Sequence, residues 1–401
     1  MSAGDSTILA VGDVAVRDRG VESSHSIPVA STTIAGHRAF PSPAVRTSHQ
    51  NAGSATSIRV ETVDDQSSGA WDAFALRHRE GTLFHEWAWR DAVCGAFPHE
   101  AHYLMASRDR IPVGILPLFL VRSIVAGRML VSVPYGVGGG TLADNDEAAD
   151  ALLEAAKRIA TENRCRSIDL RSARAVHASL PIVDRYVGFR RELPQRVEDV
   201  PGMLPRKARA AARNARDKFG LTIDHADEHL RTVWRLHVRN MRRLGSLCYP
   251  FRFFEAIADR FGPRCWISVA RWNQRVVAGL LTLVRGDTVM PYFYGATRAA
   301  RHCHAANFIY AATMERAVAA GCRVFDFGRS RVDNEGSFAF KRLQGFEPKP
   351  LEYQVCVPQG RRGVELSPNA GLFRHARRVW PWLPLSATQY LGAFLSRHIP
   401  G

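Results

Sequence analysis

The sequence contains one segment twice, and this repeat constrains the fold more than any other feature. The matching positions, each pair 157 residues apart, are Pro134-Tyr135 with Pro291-Tyr292, Cys165-Arg166 with Cys322-Arg323, and Asp169 with Asp326. In both copies the pattern predicts a strand hairpin, a third strand, a loop, a helix and a last strand. A constant offset with a constant order of elements indicates duplication. We therefore predict fold class α/β (α+β): two similar tandem domains with mixed sheets flanked by helices.

The last strand of the second copy places an ionisable residue between two aromatic ones. We predict a buried strand over residues 323–327 that runs into a Gly328-Arg329-Ser330 turn. Alternate positions of a strand share a face, so Asp326 points away from its neighbours, toward a cleft, a partner charge or solvent. The first copy has the Asp and Arg but lacks Gly328. An Asp–Arg pair in both copies is partly structural, which leaves Gly328 particular to the second copy.

Composition divides the remaining chain. Residues 1–57 are rich in Ser, Ala, Thr and Gly without periodicity, which predicts a disordered N-terminal extension or an over-long start. We assign the first domain to residues 58–195, a basic linker helix to 196–220, the second domain to 221–360, and a basic tail with Trp and Pro to 361–401.

The chain carries 54 Lys and Arg against 38 Asp and Glu, which favours anionic partners such as phosphates, nucleic acid or anionic lipid. In the linker helix, Arg206 and Lys207 open a run of six basic residues up to Lys218. The run is either a phosphate or nucleic-acid contact or a solvated helix face. It contains no aromatic residue, so base stacking is not indicated. We expect no sequence-specific DNA binding.

Cysteine usage and hydropathy predict a cytoplasmic protein. The seven cysteines are scattered, with no paired spacing, which favours reduced thiols. Three neighbouring residues, His302-Cys303-His304, rarely converge on one ion, and we expect no metal site. The longest apolar run, residues 111–121, is shorter than the roughly 20 residues that a membrane span needs. Basic residues beside Trp and Leu in the tail suit peripheral contact with the inner face of a membrane, or packing on the second domain.

The order of predicted elements resembles the GNAT acetyltransferase fold. In that fold, the amides of a loop and of the following helix N-terminus hold the pyrophosphate of coenzyme A. The loop pattern is R/Q-x-x-G-x-G/A, and the corresponding stretch here runs from Arg301 to Ala306. His304 replaces the first glycine, and its side chain would hinder close approach of a pyrophosphate to the backbone.

Further motifs resemble one family. They are Phe84-His85 with Trp89, residues 114–118 (GILPL), Arg242-Arg243-Leu244-Gly245, Pro291-Tyr292, residues 325–330 (FDFGRS), Phe340-Lys341, and Gly345-Phe346-Glu347-Pro348. Together they resemble the FemAB-related proteins associated with PEP-CTERM/exosortase systems, which have tandem GNAT-like domains. The resemblance covers about residues 58–400.

The resemblance implies transfer of an acyl or aminoacyl group to an amine. FemAB transferases use aminoacyl-tRNA and a peptidoglycan precursor, whereas the PEP-CTERM branch is linked with exopolysaccharide and cell-envelope genes. We see no long heptad insertion for a coiled-coil arm in the second domain, which argues against a tRNA donor. The predicted donor is acyl-CoA or aminoacyl-tRNA. Expected partners are an anionic donor or lipid-linked acceptor, and tRNA. The alternative is a catalytically degenerate GNAT pair that docks an anionic polymer, a lipid-linked sugar or tRNA.

Roles for single residues follow from the chemistry of amine acylation, which needs a deprotonated amine and a stabilised oxyanion. Asp326 with a raised pKa is the predicted base, and the resemblance implies that Lys341 contacts the anionic substrate or the reacting carbonyl. A solvated lysine is the alternative. The predicted substrate-binding residues are Arg329, Ser330 and Gly328 of the turn, Tyr292 and Tyr294 (hydroxyl donors or core packing), Asn307 (binding amide or helix cap), and Arg206 and Lys207.

Overall fold

A computed structural model describes residues 57–358 and 377–400. In that part of the chain two mixed sheets are flanked by helices, which confirms the predicted fold class. The predicted disordered extension, apart from Ser57, lies outside the described residues, as does the tail before Arg377.

The first sheet is built by the N-terminal copy of the repeat. Its elements are β1 (Arg59–Thr62), α1 (Ser68–Arg77), α2 (Trp87–Ala96), β2 (Glu100–Arg108), β3 (Ile111–Ser123), β4 (Gly127–Val131), β5 (Leu142–Ala143), α3 (Asp146–Glu162), β6 (Ile168–Leu170) and β7 (Ile182–Val183). Alternate residues of β2 enter different cores: Tyr103 and Met105 pack with Trp71, whereas Leu104 and Ala106 pack with the apolar face of α3. This period of two is the expected behaviour of a strand that is covered on both faces.

The second sheet repeats the series with a more apolar central helix. Its elements are β8 (Tyr186–Glu192), α4 (Val200–Met203), α5 (Arg206–Asp217), β9 (Thr222–His225), α6 (Leu230–Arg243), α7 (Phe251–Phe261), β10 (Cys265–Trp272), β11 (Arg275–Arg285), β12 (Thr288–Ala296), α8 (Ala305–Ala319), β13 (Val324–Arg331), α9 (Glu335–Leu343) and β14 (Pro348–Pro350). Helix α8 is buried on nearly all sides because α5 packs against it through Ala208 and Ala215. Arg216 of α5 donates to Glu315 of α8 at 2.9 Å. The basic linker helix is thus also a layer of the fold.

The two sheets exchange strands. Across the first sheet the order is β1-β2-β3-β4-β6-β15-β7, where β15 (Tyr353–Cys356) comes from the end of the second copy. Across the second sheet it is β14-β8-β13-β12-β11-β10-β9, where β8 comes from the end of the first copy. A boundary drawn at residue 195 therefore follows the chain but assigns β8 to the sheet that it does not join. Each sheet needs backbone partners from the other copy.

Close backbone contact fixes α6 on the second sheet. At Gly295 of β12, an added Cβ would lie 2.3 Å from the amide nitrogen of His237 and 2.4 Å from the carbonyl carbon of Leu236. No real Cβ atom makes such contacts, and backbone atoms cannot swing aside as a flexible side chain can. Glycine here sets the distance between the helix and the strand.

We predict that Gly295→Ala lowers the free energy of unfolding by about 2 to 3 kcal/mol, because helix and strand must move apart. The measurement is urea unfolding followed by circular dichroism. The matched control is Gly69→Ala in α1, where an added Cβ meets no atom within 4 Å. We expect the control to change stability by less than about 1 kcal/mol. Equal stabilities for the two variants would contradict the close approach of α6.

Candidate active site

The turn that distinguishes the second copy is a β-bulge. The pairing of β13 with β8 shifts register between Asp326 and Arg329. Gly328 has φ of 66°, in the left-handed region that favours glycine, and its amide donates to Oδ1 of Asp326 at 2.7 Å. The residue missing from the first copy is therefore the glycine that allows the strand to bulge.

Lys341 lies beneath this bulge and is 2% exposed. From helix α9 its Nζ donates to the carbonyl of Arg329 at 2.9 Å and to that of Gly328 at 3.3 Å. The ring of Phe189 lies 5.2 Å away. Lys341 is thus not the solvated lysine of the alternative interpretation. Its contacts hold the bulge to α9, which is a structural role whether or not it also meets a substrate.

The carboxyl group of Asp326 is a candidate proton acceptor. Burial raises its pKa, while the amide of Gly328 and the positive charges of Arg190 and Lys341 oppose that shift. A carboxylate with a raised pKa binds a proton more readily than an ordinary aspartate does. Its place between Phe325 and Phe327, both buried, agrees with the strand alternation expected from the sequence.

Corresponding arginines of the two copies lie close enough to repel each other. The guanidinium of Arg329 lies 4.5 Å from the ring centre of Tyr186, and Arg171 donates to the carbonyls of Val133 and Pro400, both at 3.1 Å. Burial lowers the pKa of Arg171, and the charge of Arg329 lowers it further. A buried and a half-buried guanidinium group near each other give this region excess positive charge, which the carboxyl group of Asp169 partly offsets.

The two tyrosines predicted to share one strand face have different surroundings. The pairing of β12 with β11 shifts register between Leu281 and Thr282, so Tyr292 lies at an irregularity. Its hydroxyl donates to the carbonyl of Tyr135, its counterpart in the first copy, at 2.8 Å. Tyr294 stacks on Tyr310 of α8, and burial raises its pKa. Both are core residues, as the alternative interpretation held.

The remaining predicted residues are dispersed. The Ser330 hydroxyl pairs with that of Ser337 at 2.8 Å and joins β13 to α9. Asn307 is half-buried in the first turn of α8, whose N-cap is His304. Arg206 and Lys207 are exposed at the start of α5. The structure thus brings together Asp326, Gly328, Arg329 and Lys341, with Ser330 beside them on β13, but not Asn307, Arg206 and Lys207.

Strands β12 and β13 are parallel neighbours over only two positions. The pairs are Thr288 with Val324 and Val289 with Phe325. Beyond them β12 stays with β11 as far as Ala296, while β13 stays with β8. The sheet therefore divides after two residues, and the bulge lies on one side of the division. Strands β4 and β6 of the first sheet also pair at only two positions.

A polar cluster that sequence analysis missed lies near the end of β12. Of the fourteen buried side-chain atoms that have no hydrogen-bond partner within the described residues, three lie here: Nδ2 of Asn240, Nε of Arg243 and Oγ1 of Thr297. The Arg243 guanidinium donates to Oδ1 of Asn240, and burial lowers its pKa. Unsatisfied donors in a buried position are costly and can serve a ligand. The Arg242–Gly245 motif was the sequence signal that could have identified this cluster, but the motif alone assigned no role to Arg243.

The loop from Thr297 to α8 is the counterpart of the pyrophosphate loop. His304, which stands where the pattern has glycine, has φ of 54°. The backbone thus has the left-handed conformation that glycine would adopt, with a side chain added. Cys303 is buried, and its thiol contacts the carbonyl of Ala299.

A cavity of about 590 Å³ lies in the first copy, and sequence analysis did not predict it. Its walls are the end of α1, the glycine-rich loop with β5, and the segment after β6. Three arginines contribute to its lining, Arg77, Arg79 and Arg174, together with the acids Glu80 and Asp144. The glycines at 138 and 140 were the only sequence signal for this cavity. It could not be predicted, because its other walls come from segments that are far apart in the chain.

Comparison with known proteins supports the acetyltransferase fold. Residues 204–342 match the Acetyltransferase (GNAT) domain family. The structure of FemX is similar over 75% of this chain and 97% of FemX, with a TM-score of 0.56 and 16% identity. The C-terminal domain of a putative lysylphosphatidylglycerol synthetase from Agrobacterium fabrum is similar over 75% of this chain and 99% of its own, with a TM-score of 0.50 and 13% identity. A conserved protein of unknown function from Bacteroides thetaiotaomicron is also similar over 75% of this chain and 99% of its own, with a TM-score of 0.50 and 10% identity. No curated protein matches the sequence.

These similarities show the fold of a GNAT acyltransferase. The matched family covers the second copy, where β12 and β13 separate and the bulge lies. At identities of 16% and below, the similar structures establish architecture alone.

We predict that Lys341→Met lowers the free energy of unfolding by about 2 to 4 kcal/mol, because two bulge carbonyls lose their donor. Urea unfolding measures the effect. Lys349→Met, at an exposed position, is the control and should change stability by no more than about 0.5 kcal/mol. Wild-type stability for Lys341→Met would show that the bulge does not depend on this ammonium group.

Proposed function

We propose that this chain is an N-acyltransferase of the FemAB/GNAT type that acylates an amine of a cell-envelope or exopolysaccharide precursor. The observation that carries the proposal is the division between β12 and β13 in the copy that matches the GNAT family, with Asp326 beside it. A divided sheet offers free strand edges that can bind the backbone-like part of an acyl donor. The PEP-CTERM/exosortase association belongs to this proposal and rests on the sequence motifs.

The donor in this proposal is acyl-CoA or aminoacyl-tRNA, both of which carry phosphates. Buried donors near the end of β12, where the counterpart of the pyrophosphate loop begins, are supplied by Arg243, Asn240 and Thr297. A guanidinium can bind a phosphate through two parallel hydrogen bonds. The exposed Arg206 and Lys207 extend the positive surface for a polyanion such as tRNA.

The transfer step needs a proton acceptor for the attacking amine. Asp326 fills this role in the proposal because burial raises the pKa of its carboxyl group. Nitrogen attacks the acyl carbonyl and loses its proton to the carboxylate, and the bond from the carbonyl carbon to the sulfur or oxygen of the donor breaks. The carboxyl group then passes that proton to the departing thiolate or tRNA alkoxide. Arg329 supplies positive charge beside the bulge for the anionic intermediate or a substrate phosphate.

The cavity of the first copy suits the acceptor. Its volume, about 590 Å³, is in the range of small-molecule sites, and its three arginines, which pair with Glu80 and Asp144, leave one excess positive charge for an anionic group. FemX and, by its name, a putative lysylphosphatidylglycerol synthetase are among the structurally similar proteins, which supports a precursor of the cell envelope.

A second candidate is a non-catalytic binding protein that docks an anionic polymer, a lipid-linked sugar or tRNA. Two observations favour it. His304 puts a side chain into the loop where GNAT proteins have glycine, and Lys341 is engaged by backbone carbonyls. A protein of this kind would bind anions without turnover, so an assay of acyl transfer by the wild type and its variants distinguishes it from a transferase.

We predict that Asp326→Asn lowers acyl transfer by about a hundredfold or more, since the base is lost. Stability at pH 7 should change by less than about 1 kcal/mol, because the amide oxygen still accepts from Gly328. The assay follows labelled acyl groups from acetyl-CoA or aminoacyl-tRNA to amines of envelope precursors.

The matched control for that experiment is Asp169→Asn, at the corresponding position of the first copy. Burial raises the pKa of Asp169 as well, but no bulge accompanies it. We expect this variant to retain transfer. Full activity of Asp326→Asn would remove Asp326 as the base, and binding without turnover by the wild type would favour the second candidate.

We predict that Arg243→Gln weakens binding of acetyl-CoA or aminoacyl-tRNA about tenfold to a hundredfold, through loss of a charged hydrogen bond. Isothermal titration calorimetry measures the dissociation constant. Arg239→Gln, on the exposed side of the same helix, should leave binding unchanged. Equal affinities for the two variants would place the phosphate elsewhere.

A further inference from the structure

Helix α10 (Leu385–Ser396) has the reverse of the usual amphipathic arrangement. Its buried side chains are small: Thr388 and Ser396 are 1% exposed, and Gly392 is buried between them. Three of its large apolar residues face outward, with Tyr390 75%, Leu391 39% and Phe394 41% exposed, whereas Leu385 and Leu395 are half-buried. Helices on water-soluble surfaces normally bury the apolar side and expose the polar one.

The small-residue side of α10 is firmly packed, so its exposed face does not result from a loose fit. A Cβ at Gly392 would lie 2.8 Å from Sγ of Cys248. The hydroxyl of Tyr135 donates to the carbonyl of Ser396 at 3.0 Å, and the amide of Tyr135 donates to the carbonyl of Pro400 at 2.8 Å. The orientation of α10 is therefore fixed by these contacts.

A second apolar element lies next to the end of α10. His398 contacts the carbonyl of Arg122 at 3.0 Å and the ring of Phe394 at 5.3 Å. Arg122 lies near the end of β3, just before the turn to β4, where Ile124 is 67% and Val125 49% exposed. Ahead of the helix, Trp382 is 84% exposed. An exposed apolar surface of this kind marks an interaction site.

The charge near this surface is mostly positive, and one acid, Glu100, pairs with Arg122 at 3.3 Å. Residues 377–400 contain three arginines and no Asp or Glu, and residues 111–133, which carry the turn, contain two arginines and no acid. The Arg397 guanidinium lies 5.0 Å from the Phe394 ring centre. Apolar and aromatic side chains with cations beside them match the interface of an anionic bilayer, where rings enter the headgroup region and arginines meet phosphates.

We propose that helix α10 with Trp382, together with the turn at Ile124 and Val125, docks this protein on the surface of a membrane that contains anionic phospholipid. A second copy fits less well. A twofold contact would bring the arginines of one copy toward those of the other, and the acid beside them, Glu100, already pairs with Arg122. This inference does not rest on the proposed function, because it uses none of the residues of the candidate active site.

The docking is superficial. Helix α10 has 12 residues, and a span needs about 20. In the part of the chain that the structure describes, no helix is both long and apolar enough to cross a bilayer. The helix therefore lies along the interface with its Tyr390, Leu391 and Phe394 side directed into it.

The test is flotation of the full chain with vesicles. One set contains phosphatidylcholine alone, and the other contains phosphatidylcholine mixed with phosphatidylglycerol. We expect binding to the mixed vesicles, weakened by salt. The variant Tyr390→Ser/Leu391→Ser/Phe394→Ser should reduce that binding at least about tenfold, because three apolar side chains no longer enter the interface.

The matched control is Leu76→Ser/Ile111→Ser/Ile182→Ser, at apolar positions that are 70%, 63% and 52% exposed but lie outside this surface. It should bind mixed vesicles as the wild type does. Absence of wild-type binding, or equal loss in both triple variants, would overturn the proposal. So would a wild-type dimer that the α10 variant converts to a monomer without any vesicle binding, since a second copy would then cover the face.

Discussion

The exchange of strands between the sheets is the constraint on which the other features depend. Strand β8 pairs with β13 on one side and β14 on the other, so the bulge at Gly328 forms against a strand from the first copy. Likewise β15 completes the first sheet beside β6. Backbone hydrogen bonds left unpaired at a buried strand edge are costly, so neither sheet is complete without the other copy. The exchange also explains why counterparts meet, as with Tyr292 and Tyr135.

The duplication and the fold class were predictable because both depend on the order and spacing of elements along the chain. The extra Gly328 was also visible, since an insertion shows directly in the alignment of the copies. The structural role of Gly328 was not predictable, because a bulge is defined by the register of a partner strand. That partner, β8, is about 135 residues away in sequence and was assigned to the other domain.

The candidate site was only partly predictable, for a related reason. Sequence motifs identify residue types but not what surrounds them. Lys341 was expected at a substrate, yet its ammonium group is satisfied by the carbonyls of Gly328 and Arg329. Conversely, Asn240 and Thr297 were not predicted as site residues, because an unsatisfied donor can be recognised only when its neighbours in the fold are known. The same limit applies to α10: its sequence shows two faces, but the buried one is decided by the close fit of Gly392 against Cys248.

The end of the chain connects the outer surface at α10 to the positive region between the copies. The carbonyl of Pro400 accepts hydrogen bonds from the amide of Tyr135 and from the guanidinium of Arg171. The pKa of Arg171 is lowered by burial and by the charge of Arg329. A buried guanidinium that loses a carbonyl acceptor becomes more costly to keep charged near a second guanidinium. The carbonyl of Pro400 therefore helps to stabilise the charge of Arg171, together with Asp169, whose carboxyl group opposes the lowering of that pKa. The segment after α10 thus stabilises a buried charge, while its contacts with Tyr135 hold the helix in place.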